Sequence, residues 1–125
     1  MNKTVYTRLD VDNAGDSIEL ALLKSNYKKA QKIHDLIQET INYILYKIEN
    51  IDTNTILMKG CDDILVSTSE EDYNLIFWEE IRNEFKIKSG FSLSIGIGYT
   101  VNECMNNLRI AKVSGKDKVV KNNVT

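Results

Sequence analysis

Two adjacent carboxylates, Asp62 and Asp63, follow a glycine in Lys59-Gly60-Cys61-Asp62-Asp63-Ile64, the stretch best suited to chemistry. Apolar runs at 54–58 and 64–68 flank it, so the acids are expected at the tip of a β-hairpin. Acids at a tip repel each other, but hard oxygen ligands on a rigid backbone are what a divalent cation needs. A second acidic stretch, Asp10-Val11-Asp12-Asn13-Ala14-Gly15-Asp16, supplies more carboxylates. If Asp10 meets Asp62 and Asp63, the cluster is costly unless cations neutralise it. Two Mg²⁺ ions held by shared carboxylates serve in-line nucleotidyl transfer: one activates the attacking hydroxyl, the other screens the leaving pyrophosphate. The backbone N–H groups of Asn13, Ala14 and Gly15, at a helix start, suit a triphosphate, and Lys112 and Lys116 suit its terminal phosphate.

Those residues need elements to position them. Residues 3–10 alternate loosely as a first strand ending in Asp10. From Ser17 the spacing of Ile18, Ala21 and Leu22 is helical, with Asp12 or Asn13 as cap, and Ser25-Asn26 offers a second cap. Ala30, Ile33, Ile37, Ile41, Ile44 and Ile48 then recur as the stripe of a long amphipathic helix, with the lone His34 beside it as a partly exposed residue. After the hairpin, Ser69-Glu70-Glu71 reads as a helix start, with Tyr73, Ile76, Phe77, Ile81 and Phe85 facing the core and Trp78 next to them. The strand at 91–99 alternates apolar residues with Ser92, Ser94, Gly96 and Gly98, which implies close approach of a ligand or another segment on the bare face. Val101, Cys104, Met105, Leu108 and Ala111 mark a last helix, stopped at Ser114-Gly115, and Val119-Val120 suits a short edge strand.

The order β, helix pair, β-hairpin, helix, β, helix is that of an α+β, ferredoxin-like domain: an antiparallel sheet with helices packed on one face. In it the first and third strands are central neighbours, which brings Asp10 beside Asp62 and Asp63. At 125 residues the chain is expected to be one domain over 1–125. A net charge of −2 excludes the basic footprint of a duplex-DNA binder, and the apolar runs are too short for a membrane span. Cys61 and Cys104 lack CxxC spacing and read as free thiols in a reducing cytoplasm.

Together, Asp10-x-Asp12, Gly60-x-Asp62-Asp63, Ser92-Leu-Ser-Ile-Gly-Ile-Gly98 and Ala111-Lys112-x-x-Gly115-Lys116 resemble the palm-type nucleotide cyclases and polymerases. These include the GGDEF diguanylate cyclases and the palm of the CRISPR type III polymerase subunit. With little beyond a palm, the chain most resembles the minimal CRISPR polymerase family, which is associated with cyclic nucleotide signals in antiphage defence. The resemblance implies Asp10, Asp62 and Asp63 as metal-binding catalytic acids, the Val11 carbonyl as an extra metal ligand, and Lys112 and Lys116 as phosphate contacts. Asp12, Asn13, Ala14 and Gly15 complete the expected nucleotide site, and two Mg²⁺ ions, replaceable by Mn²⁺, are the expected cofactors.

Two departures qualify it. Cys61 replaces the second glycine of the GGDEF turn, and nothing between Asp12 and Asp16 matches the guanine-reading stretch of diguanylate cyclases, so ATP is the expected substrate. The expected product is a cyclic dinucleotide or oligoadenylate. One palm holds one triphosphate, so a homodimer is expected. Each motif alone has a plainer reading: Asp62-Asp63 as a solvated turn, Asp12-Asn13 as a helix cap, the lysines as partners of a helix dipole. Agreement in order and geometry favours the metal-nucleotide reading. The alternatives are a catalytically silent nucleotide-binding palm, a GTP-using cyclase, and an RNA-binding domain, the last disfavoured by the acidic pI of 5.4 and the lack of an aromatic RNP-like pattern.

Overall fold

The computed structural model describes residues 3–122. Strand β1 (Thr4–Val11) is followed by helices α1 (Ala14–Leu23) and α2 (Tyr27–Glu49), then by strands β2 (Thr55–Lys59) and β3 (Asp63–Ser69). Helix α3 (Leu75–Ser89), strand β4 (Leu93–Gly98), helix α4 (Val101–Val113) and strand β5 (Val119–Lys121) complete the order. The sheet runs β2-β3-β1-β4-β5. All its pairings are antiparallel except β4 with β5, which are parallel.

The β1 residues Val5, Thr7, Leu9 and Val11 are buried while those between them are partly exposed, as the two-residue side-chain period of a strand requires. Leu9, Ile64 and Ile95 are cross-strand neighbours, and α2 covers that face with Ile37, Ile41, Ile44 and Ile48. Helix α3 adds Trp78, Ile81 and Phe85. Its start differs from the expected one at Ser69: Asn74 caps it by accepting from the Ile76 N–H at 2.9 Å. Ile81 and Phe85 face the core as expected, but Trp78 is buried with them and Ile76 is 67% exposed. Ser69 instead donates to Asp72 in the preceding turn. Asn26 caps α2 as expected, accepting from the Lys29 N–H at 3.2 Å.

The α+β palm expected from the sequence is present, with one correction. The helices do not share one face of the sheet. A Cβ on Gly96 would lie 2.3 Å from the Cys104 carbonyl oxygen and from the Leu108 nitrogen, so α4 lies against the face opposite to that of Ile95 and Ile97. The small residues of β4 permit this: a backbone so close leaves no room for a side chain. Among the described residues, no helix is long and apolar enough to cross a membrane.

Candidate active site

The end of β1 and the start of β3 form the floor of the site. Asp10 lies opposite Asp63 in the ladder, and the Val11 N–H donates to the Asp62 carbonyl at 2.9 Å. The hairpin turn closes through the Gly60 N–H and the Asp63 carbonyl at 2.9 Å. A Cβ at Gly60 would lie 2.1 Å from an Asp63 carboxylate oxygen, so a side chain there would displace that carboxylate. Asp63 is held by Arg8, whose Nη2 donates to Oδ2 at 2.9 Å. Arg8 was not singled out from the sequence, although its signal is simple: two residues before Asp10, it shares that residue's face of the strand.

Asp12 is the buried centre of the arrangement, 1% exposed. Ser92 donates to its Oδ2 at 2.6 Å and Ser94 to its Oδ1 at 2.7 Å. The Asp117 N–H adds a bond to Oδ2 at 3.1 Å, and Lys112 Nζ reaches Oδ1 at 2.7 Å. Burial pushes the Asp12 carboxyl up, but the bonds from Lys112, Ser92, Ser94 and Asp117 outweigh it and hold the group below its ordinary value. Both Asp12 oxygens, expected to face nucleotide, are engaged by groups of the protein itself. Ser94 in β4, and Ser92 just before it, thus serve this carboxylate as donors as well as being small.

Lys112 joins the two acids. Its Nζ lies 3.2 Å from Asp10 Oδ2 and 3.2 Å from the Val11 carbonyl oxygen, in addition to Asp12. Burial raises the Asp10 carboxyl above its ordinary value against the pull of Lys112, and the charges of Asp62 and Asp63 push the same way. The three acids do not form the tight cluster expected. Asp62 is exposed, Asp63 is paired with Arg8, and among the described residues no three His, Cys, Asp or Glu side chains gather as a metal site. The donor chemistry still fits a hard divalent cation, because Asp10 and the Val11 carbonyl already share one positive charge, the Lys112 ammonium.

Asn13 stands at the N-cap of α1 in the left-handed conformation, with φ 64°, and its side chain makes no capping bond. Instead its Oδ1 accepts from Lys116 Nζ at 2.6 Å. The first N–H groups of α1, from Ala14 onward, therefore lack a side-chain cap, and such groups attract anions. Lys116 is aimed there by a left-handed turn after α4, with φ 122° at Gly115, 62° at Lys116 and 51° at Asp117. The Asp117 carboxylate, held below its ordinary value by Lys86 and Arg82, fixes that turn to α3. A cleft between α1 and α2 opens beside the hairpin tip, lined by Gly15, Ile18, His34, Ile37, Gln38 and Asp62.

Solved structures share this architecture. A Csm1-Csm4 cassette in complex with cA4 superposes with a TM-score of 0.77 at 18% identity, over 97% of this chain and 21% of the other. The chain thus spans about a fifth of that protein. The GGDEF domain of DgcB from Caulobacter crescentus, in complex with c-di-GMP, gives a TM-score of 0.71 at 11% identity, over 96% of this chain and 78% of the other. The diguanylate cyclase SiaD from Pseudomonas aeruginosa, in complex with its activator SiaC, gives 0.66 at 17% identity, over 96% and 50%. At these identities the likeness establishes the palm fold. No curated protein matches the chain. The minimal CRISPR polymerase domain (mCpol) matches residues 6–122, which hold the acid-bearing hairpin, the uncapped helix start and both lysines, and the chain belongs to that family.

Proposed function

We propose that the protein is a divalent-metal-dependent nucleotidyltransferase that condenses ATP into a cyclic dinucleotide or an oligoadenylate signal, serving antiphage defence. The observation that carries this reading is the meeting of three features at one end of the sheet: the Asp10 and Asp63 carboxylates, the uncapped start of α1, and the Lys112 and Lys116 ammonium groups. Asp10, the Val11 carbonyl, Asp62 and Asp63 would hold the metal ions, Mg²⁺ or Mn²⁺. Bound there, the ions would activate a ribose hydroxyl and screen the departing pyrophosphate.

The chain's own residues do the rest. The N–H groups at Ala14 and Gly15 receive phosphate oxygens, and Lys116 adds a cation at the same helix start. The cleft between α1 and α2 continues from that cradle and accommodates the base. Gln38 there spends its Nε2 on the Cys61 carbonyl at 2.6 Å, which leaves its Oε1 as an acceptor for an exocyclic amine such as that of adenine. Further support comes from relatives of the same fold, among them Csm1-Csm4 cassettes in complex with one ATP, with pppApA and with cA3. In each transfer a hydroxyl oxygen bonds the α-phosphorus and pyrophosphate leaves, so closing a ring from two ATP releases two pyrophosphates. Each palm holds one triphosphate, and two chains facing each other bring the second hydroxyl.

A catalytically silent nucleotide-binding palm is the second reading, favoured by the Arg8–Asp63 pair and the absence of a gathered three-acid cluster among the described residues. Incubation with each NTP and Mg²⁺ or Mn²⁺, with products identified by mass spectrometry, separates the two. Cyclic or linear adenylate is expected, and its loss in Asp63→Asn with the fold retained. Nucleotide bound without any product favours the silent module, and product from GTP alone favours a diguanylate cyclase-like enzyme.

A further inference from the structure

An ammonium group has three N–H donors and no acceptor. Lys112 has three oxygens within reach: Asp12 Oδ1 at 2.7 Å, Asp10 Oδ2 at 3.2 Å and the Val11 carbonyl oxygen at 3.2 Å. Each donor is matched, so the lysine has none left for a phosphate. Two of its three acceptors, Asp10 and the Val11 carbonyl, are also the oxygens with which β1 would hold a divalent ion. The third, Asp12, is fixed independently by Ser92, Ser94 and the Asp117 N–H, and so keeps its place when Lys112 moves.

The geometry points to Lys112 as a built-in stand-in cation: it neutralises the Asp10–Val11 oxygens in the nucleotide-free protein and yields them to the divalent ion when a triphosphate arrives. The inference rests on the proposed nucleotide chemistry, which supplies the ion and the phosphate. Asp12 is the tether of the exchange. As the ion takes Asp10 and the Val11 carbonyl, Lys112 keeps its bond to Asp12 and turns two freed donors toward the phosphate. The positive charge thus stays within the site in both states. Metal and lysine compete for the same oxygens, so an ion without nucleotide meets a site already filled, and its apparent affinity falls by the fraction of molecules in which the site is free. Nucleotide and metal therefore bind with positive coupling.

The test measures Mn²⁺ binding by electron paramagnetic resonance on the full chain without nucleotide, comparing wild type with Lys112→Gln and Lys112→Arg. The glutamine variant, freed of its resident cation, is expected to bind Mn²⁺ at least about tenfold more tightly, while the arginine variant stays as weak as wild type. Equal or weaker binding to the glutamine variant overturns the inference. A second readout needs no substitution: reductive methylation of wild-type Lys112, followed by mass spectrometry, is expected to be slow in the free protein and faster with saturating Mn²⁺. A rate unaffected by Mn²⁺ also overturns it. Neither readout involves turnover, whereas the proposed function stands or falls on product from NTP, so the two failures are distinguishable.

Discussion

At the scale of single residues, Asp10 in β1 and Asp12 just past its end lie two positions apart yet have opposite electrostatics. Asp12 gains more from its hydrogen bonds than burial costs it, so its folded value lies below the unfolded one. Its contribution to stability is present above the unfolded pKa and is lost as pH falls through the folded pKa. Asp12→Asn is expected to cost about 2–3 kcal/mol at pH 7, with the gap to wild type closing in acid, as urea denaturation at several pH values would read. Asp10 is the reverse. Burial and the charges of Asp62 and Asp63 raise its value, so its ionised form opposes folding. Asp10→Asn is expected to raise the melting temperature at pH 7 while abolishing product formation, and the thermal gain should vanish below the ordinary carboxylate range, where the wild-type carboxyl is already protonated. A melting temperature that falls at pH 7 contradicts the repulsion.

At the scale of elements, two glycines illustrate opposite demands. Gly96 allows α4 to rest on β4, and a methyl there would meet the Leu108 backbone nitrogen at 2.3 Å. Backbone cannot turn aside as a side chain can, so Gly96→Ala is expected to cost about 3 kcal/mol or more in denaturant unfolding. Gly15, in the first turn of α1, has no atom within 4 Å of an added Cβ. There Gly15→Ala is expected to stabilise the fold by about 0.4–1 kcal/mol, because it removes freedom from the unfolded chain. The same methyl would crowd the phosphate cradle and raise the KM for ATP. A stabilised variant with an unchanged KM argues against phosphate binding at that helix start.

At the scale of the whole molecule, the sheet carries helices on both faces, and the site sits where they are tied together. Asp117 connects the layers: its carboxylate binds Arg82 and Lys86 of α3, while its N–H binds the Asp12 carboxylate beside α4. The proposed ring closure needs two triphosphates facing each other, which one palm does not provide. Specific activity is therefore expected to fall on dilution, in step with dissociation of a dimer in sedimentation velocity. Activity per chain that stays constant down to a purely monomeric concentration contradicts a facing pair.

The sequence by itself determined the order of elements, the turn at Gly60 and the neighbourhood of Asp10 and Asp63, because periodicity, turn residues and the right-handed crossover are local or topological rules. It also put the lysines and the helix start forward together as a phosphate site, from residue type and from the resemblance to the palm enzymes. Only the tertiary structure decided what each charged group touches. Asp12 reads as a helix cap or a nucleotide contact, yet the residues around β4 and the turn after α4 close over it, and contacts across about a hundred residues of chain leave no local signature. The face chosen by α4 depends on how closely two backbones approach at Gly96, and pattern alone identifies such a bare strip without saying what fills it. Pairing is decided in the same way: Arg8 takes Asp63, and Lys112 takes Asp10, because folding fixes their distances, and at short range distance sets which charge a carboxylate meets.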